Sequence, residues 1–255
     1  MNREGLSKYL GITGTTLGQV EKDYFQHLLL AALSRKMGGF LVFKGGTSLQ
    51  KVGVVRRFSE DLDFTWSGRS IRIQELLETT VSAVHNYGYR CTYDRVKQTD
   101  RSAGYRLLIE GPLQRDRKGV CSVRVEVSLR ETVVLPPDRR EFVPPYADIL
   151  PYVMEVLQLR EILSEKVRAL STRQKARDLY DLTTLLRLGV PLDPGLADRK
   201  LTYYGKKFEP AAFLVRCKGL ETRWRTELPI QIDPVPPFPE ALALVRKALD
   251  ALPSS

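Results

Sequence analysis

The chain has 255 residues, 43% of them hydrophobic, and a formal net charge of +10 at pH 7. This length allows one large or two modest domains, and no apolar run approaches the ~18 residues of a transmembrane helix. The three cysteines lack the spacing of a zinc ribbon or a disulfide framework. The N-terminus lacks the apolar segment of a signal peptide, so we expect a cytoplasmic protein. The positive charge favours nucleic acid as a partner over a basic surface that binds nothing.

The first elements in chain order are a helix and a short strand. Apolar residues at helical spacing predict a helix from Gln19 to Met37, and two glycines end it. The apolar run 40–43 is too short for a helix and predicts a buried strand. A Lys-Gly-Gly-Thr-Ser turn follows, and backbone N–H groups at such a helix start can approach a phosphate closely.

A second short strand carries acidic residues at alternate positions. Asp61 and Asp63 alternate with Leu62 and Phe64, so both carboxylates point to one face, about 7 Å apart at Cα. Paired carboxylates suit Mg²⁺, which prefers oxygen ligands and the company of phosphate. Together with the glycine turn, this pair predicts a site for a nucleoside triphosphate and a metal.

The sequence motif KGGTSL followed by RFSEDLDF resembles the catalytic signature of the DNA polymerase β-like nucleotidyltransferases. Within that superfamily it is similar to the AbiEii/AbiGii-type toxin nucleotidyltransferases, which include the mycobacterial MenT toxins. The resemblance implies that Asp61 and Asp63 are catalytic and bind Mg²⁺, with two ions in the site. Arg57, just before the acidic strand, fits either a phosphate or RNA ligand or one of a solvated pair with Arg56. The candidate nucleotide-binding residues are Lys44, Gly45, Gly46, Thr47, Ser48 and Arg57.

The next segment predicts a helix and three strands. The helix runs from Ile71 to Tyr87, and strands are expected at Tyr89–Val96, Tyr105–Glu110 and Val120–Leu129. The last strand alternates apolar and polar residues and carries Glu126. Because an unpaired buried charge is costly, we interpret Glu126 as a third metal carboxylate. The alternative is that the polar face of this strand is exposed to solvent and has no ligand.

Proline-rich residues 135–151 predict an irregular connection between two parts of the chain. We expect an α/β (α+β) nucleotidyltransferase core with a short mixed sheet over residues 1–150. A mainly helical domain is expected over residues 151–255. Its first helix is predicted from Met154 to Leu170, and a second starts at Ala176.

The segment EILSEKVRALSTRQKARDLYDL resembles a second conserved block of the same family. The resemblance implies that Lys166 and Asp178 complete the active site, in a cleft to which the helical domain contributes them. Lys166 can offset triphosphate charge, and Asp178 can orient Lys166 or act as a base. Asp181, three residues on, is the other candidate for that aspartate role. The alternative is surface electrostatics between neighbouring helices, which contributes little.

Aromatic residues lie among cations over residues 203–225. Such a mixture can clamp single-stranded RNA by stacking, but it more often marks a helix-packing core.

The family resemblance implies Mg²⁺-dependent transfer of a nucleoside monophosphate from an NTP to an acceptor hydroxyl. In the family the acceptor is often the 3′ end of tRNA, and the enzyme is the toxin of a toxin–antitoxin pair. The partners implied are therefore an NTP, an RNA acceptor and a cognate antitoxin, with no membrane. Two alternatives stay open: modification of a protein or small molecule, and a nucleotide- or RNA-binding protein without turnover.

Overall fold

A seven-stranded mixed sheet forms the centre of the first unit of the chain, in the order β3-β4-β5-β2-β1-β7-β6. The computed structural model describes residues 1–68, 73–114 and 119–253. The strands are β1 Leu41–Lys44, β2 Leu62–Trp66, β3 Arg90–Gln98, β4 Ser102–Glu110, β5 Cys121–Ser128, β6 Asp138–Phe142 and β7 Tyr152–Val156. The helices of this unit are α1 Arg3–Ser7, α2 Leu17–Met37, α3 Gly45–Lys51 and α4 Ile73–Asn86.

Strand β2 lies in the middle of the sheet, antiparallel to β1 and parallel to β5. Leu62 and Phe64 of β2 are fully buried on one face, where helix α2 contacts β1, β5 and β7. Because side chains alternate along a strand, Asp63 faces the opposite side of the sheet. The apolar pattern therefore presents the polar residues of β2 and β5 on the face away from α2.

The second unit is helical. It comprises Val52–Arg57, Val134–Pro136 and the described residues from Leu157 onward. Its helices are α5 Leu159–Thr172, α6 Ala176–Arg187, α7 Pro194–Thr202, α8 Pro210–Lys218, α9 Glu221–Glu227 and α10 Phe238–Asp250, with a 3₁₀ turn at Leu228–Ile230. The mixed sheet and the helical C-terminal part are the fold class that the sequence predicted.

The predicted helix from Met154 is wrong at its start. Residues 152–156 form strand β7, and α5 begins only at Leu159. Tyr152, Met154 and Val156 are buried while Val153 is exposed, which is strand periodicity. Pairing with β1 on one side and β6 on the other decides the conformation of these residues.

The connection predicted to be irregular contains strand β6 at the edge of the sheet. Its sequence, Asp-Arg-Arg-Glu-Phe, has no apolar alternation, because charged residues are common on edge strands. The helix predicted at 71–87 is observed as α4, and Ile71 itself lies outside the described residues. Among the described residues, none of the helices combines the length and hydrophobicity that a membrane span requires.

Candidate active site

The turn between β1 and α3 is built around Gly45. Its φ of +78° lies in the left-handed region that favours glycine. A Cβ added to Gly45 would lie 2.5 Å from Oδ2 of Asp63. The Asp63 carboxylate therefore packs directly against the backbone of the turn, and only glycine leaves room for it.

The hydroxyls of the turn bind the local backbone. Thr47 donates a hydrogen bond from Oγ1 to the carbonyl oxygen of Asp61, and Ser48 donates from Oγ to the carbonyl oxygen of Gly45 at 3.0 Å. Both side chains are fully buried. These bonds connect α3 to the residue that precedes β2, so the turn and the acidic strand are held as one element. Nucleotide binding by the turn stays a prediction.

Three candidate residues lie side by side across the sheet. Lys44 of β1 is in register with Asp63 of β2, which is in register with Glu126 of β5. Residues in register on adjacent strands share a face, so these three side chains leave the sheet on the same side. Asp61 is the residue immediately before β2, and its place on the same face stays a prediction from strand alternation. Within residues 1–68, 73–114 and 119–253, no hydrogen-bond or ion-pair partner is found for the Asp61 carboxylate.

The burial argument for Glu126 is wrong. Its side chain is 56% exposed, and Oε1 lies 3.6 Å from the Arg124 guanidinium. No group of three His, Cys, Asp or Glu side chains in the described ranges is close enough to hold a metal ion. Glu126 therefore keeps its place in register beside Asp63, while its role as a third ligand stays a prediction.

Lys44 is buried and forms an ion pair with Glu131. Its Nζ donates to Oε2 of Glu131 at 2.9 Å, and Glu131 is 3% exposed. This pairing fixes the ammonium on the same sheet face as Asp63. Nothing in the sequence around Glu131 indicated this partner, because it lies beyond the end of β5. Direct nucleotide binding by Lys44 stays a prediction.

In the second unit, Lys166 contacts two buried aspartates. Its Nζ lies 3.1 Å from Oδ1 of Asp178 and 2.7 Å from Oδ2 of Asp181. Arg173 donates to Asp178 at 2.8 Å. The aspartates are 1% and 0% exposed and Lys166 is 7% exposed. The alternative of surface electrostatics between helices is therefore wrong, since this ion-pair cluster is buried.

Arg57 completes the cluster. Its Nε and an Nη donate to the two oxygens of Asp181 at 2.7 and 2.6 Å, in bidentate geometry. Arg57 is 2% exposed, so the solvated pair with Arg56 is wrong for this residue. Nucleotide binding by Arg57 stays a prediction, and its observed partner is a carboxylate.

The charges of this cluster keep both aspartates ionised. Burial alone would raise the pKa of Asp181, but the charges of Lys166 and Arg57 outweigh burial and lower it below its ordinary value. The pKa of Asp178 is likewise lowered, because Lys166 and Arg173 outweigh the effect of burial. Both aspartates contact Lys166, and Asp181 is the nearer of the two.

Two of the five aromatic residues over 203–225 belong to the helical core, and Tyr203, Tyr204 and Phe208 are half-buried. Phe213 is 3% exposed and Trp224 is 2% exposed, with Trp224 against Phe238 at 5.8 Å between ring centroids. Stacking on RNA bases by these two rings is therefore wrong. The neighbouring cations remain at the surface.

The glycine turn after β1 and Asp63 on the neighbouring strand β2 are the arrangement that the resemblance to nucleotidyltransferases implies. The sequence profile described as "Nucleotidyl transferase AbiEii toxin, Type IV TA system" matches residues 28–251. The chain belongs to this family of nucleotidyltransferase toxins, which confirms the resemblance drawn from the two motifs.

Two solved structures share the fold. The chain is similar to MenT4, a nucleotidyltransferase toxin from Mycobacterium tuberculosis H37Rv, with a TM-score of 0.71 and 23% identity over 100% of this chain and 91% of that chain. It is also similar to JHP933 from Helicobacter pylori, with a TM-score of 0.59 and 22% identity over 90% of this chain and 89% of that one. No curated protein matches the chain at a significant level.

Proposed function

We propose that the chain transfers a nucleoside monophosphate from an NTP to the 3′-terminal hydroxyl of tRNA and thereby acts as the toxin of its toxin–antitoxin pair. The 3′ oxygen attacks the α-phosphorus, and the bond between that phosphorus and the β-phosphate oxygen breaks. Pyrophosphate leaves, and the hydroxyl proton passes to a base or to water. A tRNA blocked at its 3′ end cannot be aminoacylated, which would stop translation in the cytoplasm.

The observation that supports this proposal best is the Asp63 carboxylate packed against the Gly45 turn. It places a carboxylate beside backbone that is free of side-chain atoms. The carboxylate of Asp61, the residue immediately before the same strand, has no partner among the described residues. A half-buried carboxylate without a cation is costly unless a ligand supplies the charge.

The residues of this face fit a divalent metal. Asp61 and Asp63 offer the hard oxygen ligands that Mg²⁺ prefers. Glu126 is in register beside Asp63, but in the described ranges the three carboxylates do not converge into a three-ligand site. When bound, Mg²⁺ would lower the pKa of the acceptor hydroxyl and neutralise the leaving pyrophosphate. The backbone N–H groups of residues 45–48 would hold the triphosphate.

The family resemblance implies a role in the same reaction for charged residues of the second unit. We propose that Lys166 neutralises phosphate charge and that Asp178 and Asp181 orient its ammonium. An aspartate with a lowered pKa is a weak base at neutral pH, so orientation suits Asp178 better than proton abstraction. Arg57 acts indirectly, through Asp181.

The test is incubation of the purified protein with total tRNA, Mg²⁺ and each α-labelled NTP separately. We expect label in tRNA with one or two of the NTPs, removed by treatment that trims the 3′ end. Label in protein or in a small molecule instead would support the alternative acceptors. NTP binding without any labelled product would support a protein without turnover and would overturn the proposal.

Replacing Gly45 with alanine should reduce transfer by about 10²-fold, because the new Cβ would displace the Asp63 carboxylate. The matched control is Gly39→Ala, since Gly39 has a φ of +89° and open space around it. Both variants should lose about 1–2 kcal/mol of unfolding free energy through left-handed strain. Steady-state transfer rates and chemical denaturation measure the two effects. Equal activity of the two variants would contradict the role of the turn.

A further inference from the structure

Six cations surround the C-terminal end of helix α5 in the second unit. Arg216 donates from Nε to the carbonyl oxygen of Leu170 at 2.7 Å, and Lys206 donates from Nζ to that of Ser171 at 3.0 Å. These two bonds bring α8 and the segment after α7 to the last turn of α5. The residues of this group, named here the α5-end surface, are Arg173, Lys175, Lys206, Lys207, Arg216 and Lys218.

Chain connectivity and one further contact place the other members. Arg173 and Lys175 directly follow α5, and Lys207 follows Lys206. Lys218 precedes Gly219, where an added Cβ would lie 3.8 Å from Nε2 of Gln174. All members are exposed except Arg216, which is half-buried.

Only part of the charge of the α5-end surface is unpaired. Arg173 is ion-paired with Asp178. The carboxylates of Glu227 and Asp198 accept from the backbone N–H groups next to Lys175 and Lys207. Arg216 and Lys206 satisfy the carbonyls of the helix end, whose dipole carries partial negative charge. Lys175, Lys207 and Lys218 have no ion-pair partner in the part of the chain that the structure describes. A polyanion is the ligand that this arrangement favours.

The surface connects with the buried cluster through Arg173. Its side chain is 50% exposed, and its Nε donates to Oδ2 of Asp178 at 2.8 Å. The other oxygen of that carboxylate accepts from Lys166 at 3.1 Å. A polyanion bound here therefore lies next to the lysine that we assign to phosphate neutralisation.

We infer that the α5-end surface binds the phosphate backbone of the RNA acceptor. This inference rests on the proposed function. A polyanion bound next to Lys166 is the RNA substrate only if Lys166 takes part in nucleotidyl transfer. Phosphate contacts of this kind position an RNA without reading its sequence.

The test variant is Lys207→Ala with Lys218→Ala, because neither side chain has an ion-pair partner within residues 1–68, 73–114 and 119–253. The control is Arg160→Ala with Arg187→Ala, which removes two cations at the opposite end of the α5–α6 hairpin, about 20 Å away by helix rise. Binding of unmodified tRNA is measured without NTP, as a function of salt. The test variant should bind about tenfold more weakly, with a salt slope reduced by about 1 per lysine. The control should stay within about twofold.

The outcomes separate this inference from the proposed function. Equal tRNA binding by test and control variants, with wild-type transfer to tRNA intact, overturns the inference alone. Weaker binding by the test variant supports the inference even where wild type transfers no label, and the proposed function then fails by itself. Polyglutamate that competes with tRNA at equal charge concentration would point to an acidic protein partner and would also overturn the inference.

Discussion

Replacing Asp61 with asparagine should abolish most nucleotidyl transfer, with a loss of about 10²–10³-fold in rate and an unchanged fold. Asparagine keeps the size of the side chain and removes its charge. Because the Asp61 carboxylate has no protein partner among the described residues, folding should not depend on that charge. Single-turnover transfer of labelled nucleotide measures the rate, and thermal unfolding checks the fold.

The control for Asp61→Asn is Asp138→Asn, which removes a partly exposed carboxylate of the same unit paired with Arg140. It should leave transfer within about twofold, since exposed pairs contribute little. Glu126→Gln in the same assay decides the role of the third carboxylate. A higher Mg²⁺ concentration needed by Glu126→Gln would identify Glu126 as a metal ligand. An unchanged Mg²⁺ dependence would mean that Glu126 is only a solvent-exposed residue of the strand. Full activity of Asp61→Asn would contradict the proposed site.

Replacing Asp181 with asparagine should destabilise the helical unit by about 3–5 kcal/mol, the usual effect of breaking a buried ion pair. The variant leaves Arg57 and Lys166 buried with one carboxylate fewer. The chain has two tryptophans, one in each unit. In a Trp66→Phe background, fluorescence of Trp224 would report urea unfolding of the helical unit alone.

The control for Asp181→Asn is Glu221→Gln, which breaks an exposed pair with Arg225 and should change stability by less than about 1 kcal/mol. An equally small effect of Asp181→Asn would contradict the view that the cluster holds this unit together.

Acid should remove the contribution of the same aspartates. The folded-state pKa values of Asp178 and Asp181 lie below the ordinary 3.8. Their stabilisation is therefore complete above about pH 5 and is lost as the pH falls through the folded-state values. Unfolding free energy measured from pH 6 to pH 3 should fall more steeply in wild type than in Asp181→Asn. Parallel curves would show that other carboxylates dominate acid unfolding.

The strands and helices that follow simple periodicity were predictable from the sequence. Strand β5 and the pair α5–α6 bury apolar residues at regular spacing, which the sequence displays directly. Helix α2 is at the predicted place, but it is buried on nearly all sides, including Asp23, Gln26 and His27, and not along one apolar stripe. Strands β6 and β7 were not predictable from the sequence. Strand β6 has four charged residues out of five, and the residues of β7 continue without a break into the helical pattern of α5. Both owe their conformation to partners far away in the chain.

The candidate site likewise has a part that the sequence predicts and a part that it does not. The glycine turn, Asp61 and Asp63 are separated by few residues, and their relation follows from strand geometry and from the motif. The partners of Lys44 and Arg57 are distant, at Glu131 and Asp181, and no local pattern indicates them.

The sequence by itself determined the family, the mixed sheet with its helical part, and the residue types at the turn and on the acidic strand. Only the tertiary structure decided which charges are buried and paired: Lys166 between two aspartates, Arg57 on Asp181, and Glu126 half-exposed beside Arg124. The reason is physical. Local patterns reflect backbone geometry over a few residues, whereas the burial of a charge depends on which distant side chains meet it in the folded chain.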